Sequence, residues 1–213
     1  EGLRQNHWVD ERRDPEKSTR AAANHLKSLY REFKDWRLAI AAYNSGRGRV
    51  KRAIERAGTR NYWELSLPEE TQNYVPLFMA AVIISKNPQL FGFSEIKPES
   101  NLTFEKITLP KSWPYVDLRA AAKSLNIDEK DLRALNPELR RSITPPNQKK
   151  AYQINLPPKT GNIFLEMYPK LASTEKTSIF LYEVRNGDNL SIISKMFGIK
   201  ANSITAANTL KNP

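Results

Sequence analysis

Between Leu38 and Val50 the sequence leaves the backbone few options. Leu38-Ala39-Ile40-Ala41-Ala42 is an apolar helical run that carries Tyr43 and Asn44 to its own end. Gly46 and Gly48 then interrupt it, and apolar spacing resumes at Val50 and Ile54. Glycine admits positive φ and lets another molecule approach the chain closely. The segment therefore predicts two helices joined by a tight turn, with an aromatic ring and an amide at the junction. Two uses fit that pair. Tyr43 packs as core at an ordinary helix end, or ring and amide border an open space that holds a polar, ring-shaped ligand.

Helical spacing covers residues 1–90. Asp14 can cap a helix that begins at Pro15 with Glu16 in its first turn. Ala22, Leu26, Leu29, Tyr30 and Phe33 recur along it at helical intervals. Asp35 can cap the helix from Trp36 to Asn44, and Gly58 ends the helix after that. Ser66 and Glu69 have capping-box spacing around Pro68. They precede a helix predicted to bury Tyr74, Leu77, Phe78, Ala81 and Ile84 and to stop at Asn87-Pro88.

Prolines punctuate a connector from Pro98 to Pro114, after which the pattern changes to strand, two short helices, strand. Phe104, Ile107 and Leu109 alternate. Leu118, Ala121, Ala122 and Leu125 are helical, as are Leu132 and Leu135. Tyr152, Ile154 and Leu156 alternate again. Residues 158–178 read as a mixed connector. From Leu181 the pattern recurs, with a strand at Tyr182-Glu183-Val184, a turn at Asn186-Gly187-Asp188-Asn189-Leu190, and a helical face of Ile192, Ile193, Met196 and Phe197. Ile204, Asn208 and Leu210 fit a second helix and its end. The expectation is an α+β multidomain chain with an internal repeat, divided as 1–90, linker 91–103, 104–157, connector 158–178 and 179–213.

The 34 Lys and Arg against 23 Asp and Glu leave a net charge of +11 in 213 residues. Such a surface favours polyanions or a cell wall rich in carboxylates. No compact Lys/Arg run appears, so nucleic acid is not the expected partner. Without cysteine there is no disulfide or thiolate metal site. His7 and His25, the only histidines, lack ligand spacing, so no metal is expected. No apolar run approaches the roughly 20 residues needed to span a bilayer. There is no signal peptide and Glu1 is not an initiator methionine, which reads as a piece of a longer chain. Asp10, Glu11, Asp14 and Glu16 form the densest acidic cluster. Interleaved Arg12, Arg13 and Lys17 predict ion pairs and a helix cap there rather than catalysis. Glu69 and Glu70 sit where a helix start explains them.

Ala41-Ala42-Tyr43-Asn44-Ser45-Gly46 resembles the Ala-Tyr-Asn-x-Gly motif of the lytic transglycosylases. Asp10-Glu11-Arg12-Arg13-Asp14-Pro15-Glu16-Lys17-Ser18-Thr19-Arg20-Ala21-Ala22 and Pro68-Glu69-Glu70-Thr71-Gln72-Asn73-Tyr74-Val75-Pro76 match the same family, in the order and spacing of its D-type branch. The resemblance implies the latter part of an all-helical, lysozyme-like domain in residues 1–90. It implies non-hydrolytic cleavage of the MurNAc-GlcNAc β-1,4 bond of peptidoglycan, leaving 1,6-anhydroMurNAc. In the family one glutamate, within a Glu-Ser motif well before the Asp10-like segment, acts first as acid and then as base. No catalytic residue is therefore expected in this chain, and Glu1 does not align with one. Tyr43, Asn44 and Gly46 are implied to meet the cleaved sugar and Tyr74 to lie near the glutamate, although Tyr74 also reads as core beside Phe78 and Ile84.

The two βααβ segments resemble LysM modules, with Leu135-Asn136-Pro137 at the end of a second helix. In the first, Tyr115-Val116-Asp117-Leu118 stands where the family has Gly-Asp-Thr-Leu, so the resemblance does not carry glycan contacts to it. In the second, Gly187, Asp188 and Asn189 are implied to meet N-acetyl groups through the backbone. A plain tight turn with Asp188 capping the helix is the alternative. The implied partner is the peptidoglycan glycan strand, with no cofactor and no nucleic acid. The implied setting is the bacterial periplasm or cell envelope, with an outer-membrane lipoprotein as one form of the full-length protein. A non-catalytic peptidoglycan-binding protein that keeps the groove is the rival reading.

Overall fold

Short polar side chains start the helices where the spacing places them. Asp14 accepts a hydrogen bond from the Lys17 amide (3.0 Å) at the head of α1 (Pro15–Phe33). Asp35 accepts from the Arg37 and Leu38 amides (2.7 and 3.2 Å) at the head of α2 (Trp36–Ser45). α3 (Arg47–Ala57) follows directly and ends on left-handed Gly58, and α4 (Glu69–Lys86) comes after a short loop. This computed structural model describes residues 2–93, 103–146, 151–171, 176, 182–208 and 210. Glu1, most of the 91–103 linker and parts of the 158–178 and 179–213 segments lie outside the described residues.

α2 is the axis of the helical region, with α1, α3 and α4 packed on it. Its Leu38–Ala42 run is buried along its whole length, as a helix covered on several sides requires. Leu29, Phe33, Val50 and Val75 complete this core from the neighbouring helices.

α4 departs from expectation. Ser66 does not cap it: Pro68 is its N-cap and no side chain makes an N-cap hydrogen bond there. Only Thr71 and Val75 are buried on it, Tyr74, Phe78 and Ile84 are half-buried, and Leu77 is 69% exposed. The helix is apolar nearly all round, yet among the described helices α2 covers only one stripe of it, so Leu77 and Ala81 face away from the core. Pro76 lies inside α4 and has no N–H to donate to the Gln72 carbonyl. The Tyr62 hydroxyl supplies the missing donor, sitting 3.2 Å from the carbonyl oxygens of both Thr71 and Gln72.

In the next region β1 (Glu105–Thr108) and β2 (Gln153–Leu156) pair antiparallel, with Ile107 opposite Ile154. α5 (Leu118–Leu125) and α6 (Glu129–Leu135) lie between them in the chain. Val116, Leu118, Leu132, Ile154 and Leu156 form the core. The stretch expected as a mixed connector contributes α7 (Gly161–Met167), whose Phe164 is fully buried in that core. Gly161 makes the close docking of α7 possible, because a Cβ there would lie 2.4 Å from Ile107 Cδ1. Val9, from the N-terminal segment, is buried in the same core and bridges Leu139 as an antiparallel pair. Residues of the first two expected segments therefore share one compact unit, Glu1–Lys176.

Thr177–Pro213 is a second unit. It contains α8 (Leu190–Phe197) and α9 (Ala201–Asn208), with the Tyr182 ring edge-on to Phe197 at 5.2 Å. Tyr182–Val184, expected as a strand, is in no ladder among the described residues. Among the described residues the chain is mostly helical with one small two-stranded sheet, an α+β mixture.

Candidate functional site

The end of α2 places Tyr43 at the rim of the core rather than inside it. The residue is 38% exposed and lines a cleft of about 420 Å³ together with Leu3, Arg12, Ser18, Ala21, Ala22 and His25. The His25 ring stands 5.6 Å from the Tyr43 ring. Ser18, Ala21, Ala22 and His25 fall on one face of α1, and the small side chains at the centre of that face leave the space that Tyr43 borders. Gly46 makes the turn below it at φ 90° and ψ 139°, with its N–H bonded to the Ala42 carbonyl (2.9 Å) and its surface exposed.

Asn44 is turned to a different task. Its Oδ1 accepts from the Thr71 hydroxyl (2.7 Å) and its Nδ2 donates to Glu70 Oε1 (3.0 Å), so the amide ties the end of α2 to the first turn of α4. Tyr74 is half-buried on α4, 6.4 Å from the Phe78 ring, and does not line the Tyr43 cleft. Arg12 and His25 were not singled out by the sequence reading for this site. The signal that could have found His25 is its helical spacing from Ser18, Ala21 and Ala22.

Asp10 and Glu11, near the cleft, are held ionised. Asp10 forms a two-point pair with Arg12 (2.8 and 2.7 Å), whose hydrogen bonds pull the Asp10 carboxyl down to about 2. Burial pushes Glu11 up, but the Arg4 amide, Lys17 and the Arg4 guanidinium together hold it below the usual glutamate value. Asp14 caps α1 and Glu16 pairs with Lys106. A general acid works best with a pKa near the working pH, and Asp10 and Glu11 are moved away from it.

The two LysM-like turns differ in what they leave open. In the first, Val116 N–H donates to Thr144 Oγ1 (2.8 Å), Asp117 N–H to the Tyr168 hydroxyl (3.0 Å) and Leu118 N–H to the Ser142 carbonyl (2.8 Å). Tyr168 comes from the turn after α7, and burial raises its phenol to about 12. In the second, Gly187 is exposed at φ 94° with nothing near its α-carbon face. Asp188 folds back to accept from the Tyr182 hydroxyl (2.8 Å) and the Arg185 amide (2.7 Å). Asn189, not Asp188, caps α8 through the Ile192 amide (2.9 Å). Among the described residues no acidic or histidine cluster suits a metal, and no helix is long and apolar enough to cross a membrane.

Comparison with known proteins reaches most of the chain. Residues 1–66 match the transglycosylase SLT domain, residues 103–173 the lytic transglycosylase MltD LysM-like domain, and residues 182–213 the LysM domain. The membrane-bound lytic murein transglycosylase D of Escherichia coli strain K12 is 30% identical over 223 residues, covering 99% of this chain and 49% of that protein. The same protein of E. coli O6:H1 gives the same figures. A putative tributyltin chloride resistance protein of Alteromonas sp. strain M-1 is 54% identical over 48 residues, 22% of this chain and 23% of that protein. The chain thus spans about half the length of the transglycosylases it resembles.

Proposed function

Taking the chain as one of the MltD-type lytic transglycosylases, with an SLT domain ahead of LysM-type domains, we propose that it serves the non-hydrolytic cleavage of peptidoglycan glycan strands. The observation that carries this reading is Tyr43, held at the end of a buried helix with its ring open to a cleft. An exposed aromatic ring beside a polar rim suits the face of a sugar. The reaction asks a glutamic acid to protonate the glycosidic oxygen, and the resulting carboxylate then takes the proton of the sugar's 6-hydroxyl. That hydroxyl closes on the anomeric carbon and leaves the 1,6-anhydro ring. We place the acid outside this chain, since Asp10 and Glu11 are held ionised by cations. Tyr43 stacks on the sugar, Gly46 keeps the approach clear, and Asn44 fixes the turn through Thr71 and Glu70. Tyr74 would contribute its hydroxyl from α4. In the C-terminal unit, Gly187 offers the open backbone for N-acetyl groups, with Asp188 and Asn189 shaping its turn. The setting that suits this substrate is the bacterial cell envelope.

A second reading, a non-catalytic glycan binder, is favoured by the same ion-paired carboxylates. Purified cell wall separates the two. The 213-residue chain should sediment with peptidoglycan and release no anhydro-muropeptides. A native chain carrying a Glu-Ser segment ahead of Glu1 should release them. Turnover by the 213 residues alone would overturn the placement of the acid, and no turnover by that longer chain would favour the binder.

A further inference from the structure

Residues 4–11 form a small hairpin ahead of α1 that packs into the core of the β1/β2 region. Gln5 and Asp10 bridge as an antiparallel pair, and the Glu11 amide donates to the Arg4 carbonyl (2.9 Å). The outer side of the hairpin lies against residues 138–141. The Asp10 amide donates to the Glu138 carbonyl (2.8 Å), and the Arg140 amide donates to the Trp8 carbonyl (2.9 Å). The Arg140 guanidinium also reaches the Asn6 carbonyl (2.8 Å), and Arg141 Nε donates to His7 Nε2 (3.2 Å). Val9 is fully buried among residues of the β1/β2 region, and Trp8 packs against the same cluster. Leu3 and Arg12 stand immediately outside the two ends of the hairpin, and both line the Tyr43 cleft.

We propose that the region built around β1, β2 and residues 138–141 acts as an intramolecular brace that positions one wall of the Tyr43 cleft through this hairpin. The brace grips the tip, and the paired arms carry the constraint to Leu3 and Arg12. Preorganised walls raise affinity by removing the cost of ordering them on binding. The committed amides of Val116, Asp117 and Leu118 agree with this division of labour, because the turn that would read glycan in a LysM module is occupied from within. Val9, Leu139 and Arg140 are thus positioning residues. The cleft part of this inference rests on the saccharide reading given above.

The test uses the full 213-residue chain and chitotetraose as probe. Amide exchange at Asp10, Glu11, Arg12 and Arg140 is followed in Val9→Ala/Arg140→Ala and in Leu139→Asp, with Val9→Ile as the conservative control. Loosening the grip should speed exchange at Glu11 and Arg12 by about tenfold while the amides of residues 38–42 keep their protection. Chitotetraose affinity, read at the Tyr43 ring resonance, should fall roughly threefold or more, and Val9→Ile should restore it. Unchanged exchange at Glu11 and Arg12 overturns the brace, as does a loosened hairpin with unchanged affinity. The milder double variant decides if Leu139→Asp does not fold. A wild-type chain with no Tyr43 response overturns the saccharide reading, and the exchange data then judge the brace by themselves.

Discussion

Gly46 holds a backbone conformation, φ 90° and ψ 139°, that side chains rarely share. Its Cβ position is open, so strain rather than collision governs substitution there. Gly46→Ala should cost about 1–3 kcal/mol, read by urea unfolding, without a change in side-chain packing nearby. Two groups within the hairpin give the protein distinct responses to acid. Burial, then Arg141 and Arg140, hold His7 below its ordinary value, so the folded state favours the neutral ring. As pH falls below about 6.5 the unfolded chain takes up the proton first, and stability declines there. Asp10, held at about 2 mainly by Arg12, contributes stability above its unfolded value of 3.8 and loses it as pH drops towards 2. Glu11 moves in the same direction. His7→Gln should remove the decline near pH 6 and leave the one below about pH 4, as a stability-versus-pH series would show.

At the scale of elements, α4 survives an internal proline because Tyr62 reaches across to it. Tyr62→Phe should cost about 1 kcal/mol in thermal unfolding, and the loss should shrink when Pro76→Ala restores the backbone donor. α7 depends on the absence of a side chain at Gly161, which also donates its N–H to Glu105 Oε2 (3.1 Å). Gly161→Ala should therefore destabilise by about 1–3 kcal/mol, with Ile107 displaced in the NMR spectrum. The helix starts at Asp14 and Asp35 were legible because a cap is a local bond between near neighbours. So were the βααβ order and the turn at Gly46. The helix inside the expected connector was not legible, since Phe164 is buried by β1 and α5, which are remote in sequence. The burial of α4 was misjudged for the same reason: periodicity names an apolar face but not whether a neighbour covers it. The motif singles out Tyr43, whereas Arg12 and His25 reach the cleft through tertiary packing. The cap at Asn189 rather than Asp188 was decided by Tyr182 and Arg185, which draw the Asp188 carboxylate away.

For the whole molecule, the clearest lesson is that cores and sequence segments do not coincide. Val9 lies ahead of α1, yet it is buried with Leu118, Leu132 and Ile154. In the C-terminal unit, Tyr182, Ile193 and Phe197 line an apolar pocket of about 370 Å³.

The bare side of α4 and the short 3-10 helix after it (Pro88–Phe91), with Leu77, Val82, Ile83, Leu90 and Phe91 open to water, has a colloidal consequence. Copies of a chain charged +11 repel one another at low ionic strength. Added salt shortens that repulsion to about 8 Å at 0.15 M while leaving the attraction between greasy surfaces intact. Solutions of this protein should therefore cloud or cluster as sodium chloride is raised, which light scattering would record. Leu77→Lys with Ile83→Lys should keep them clear.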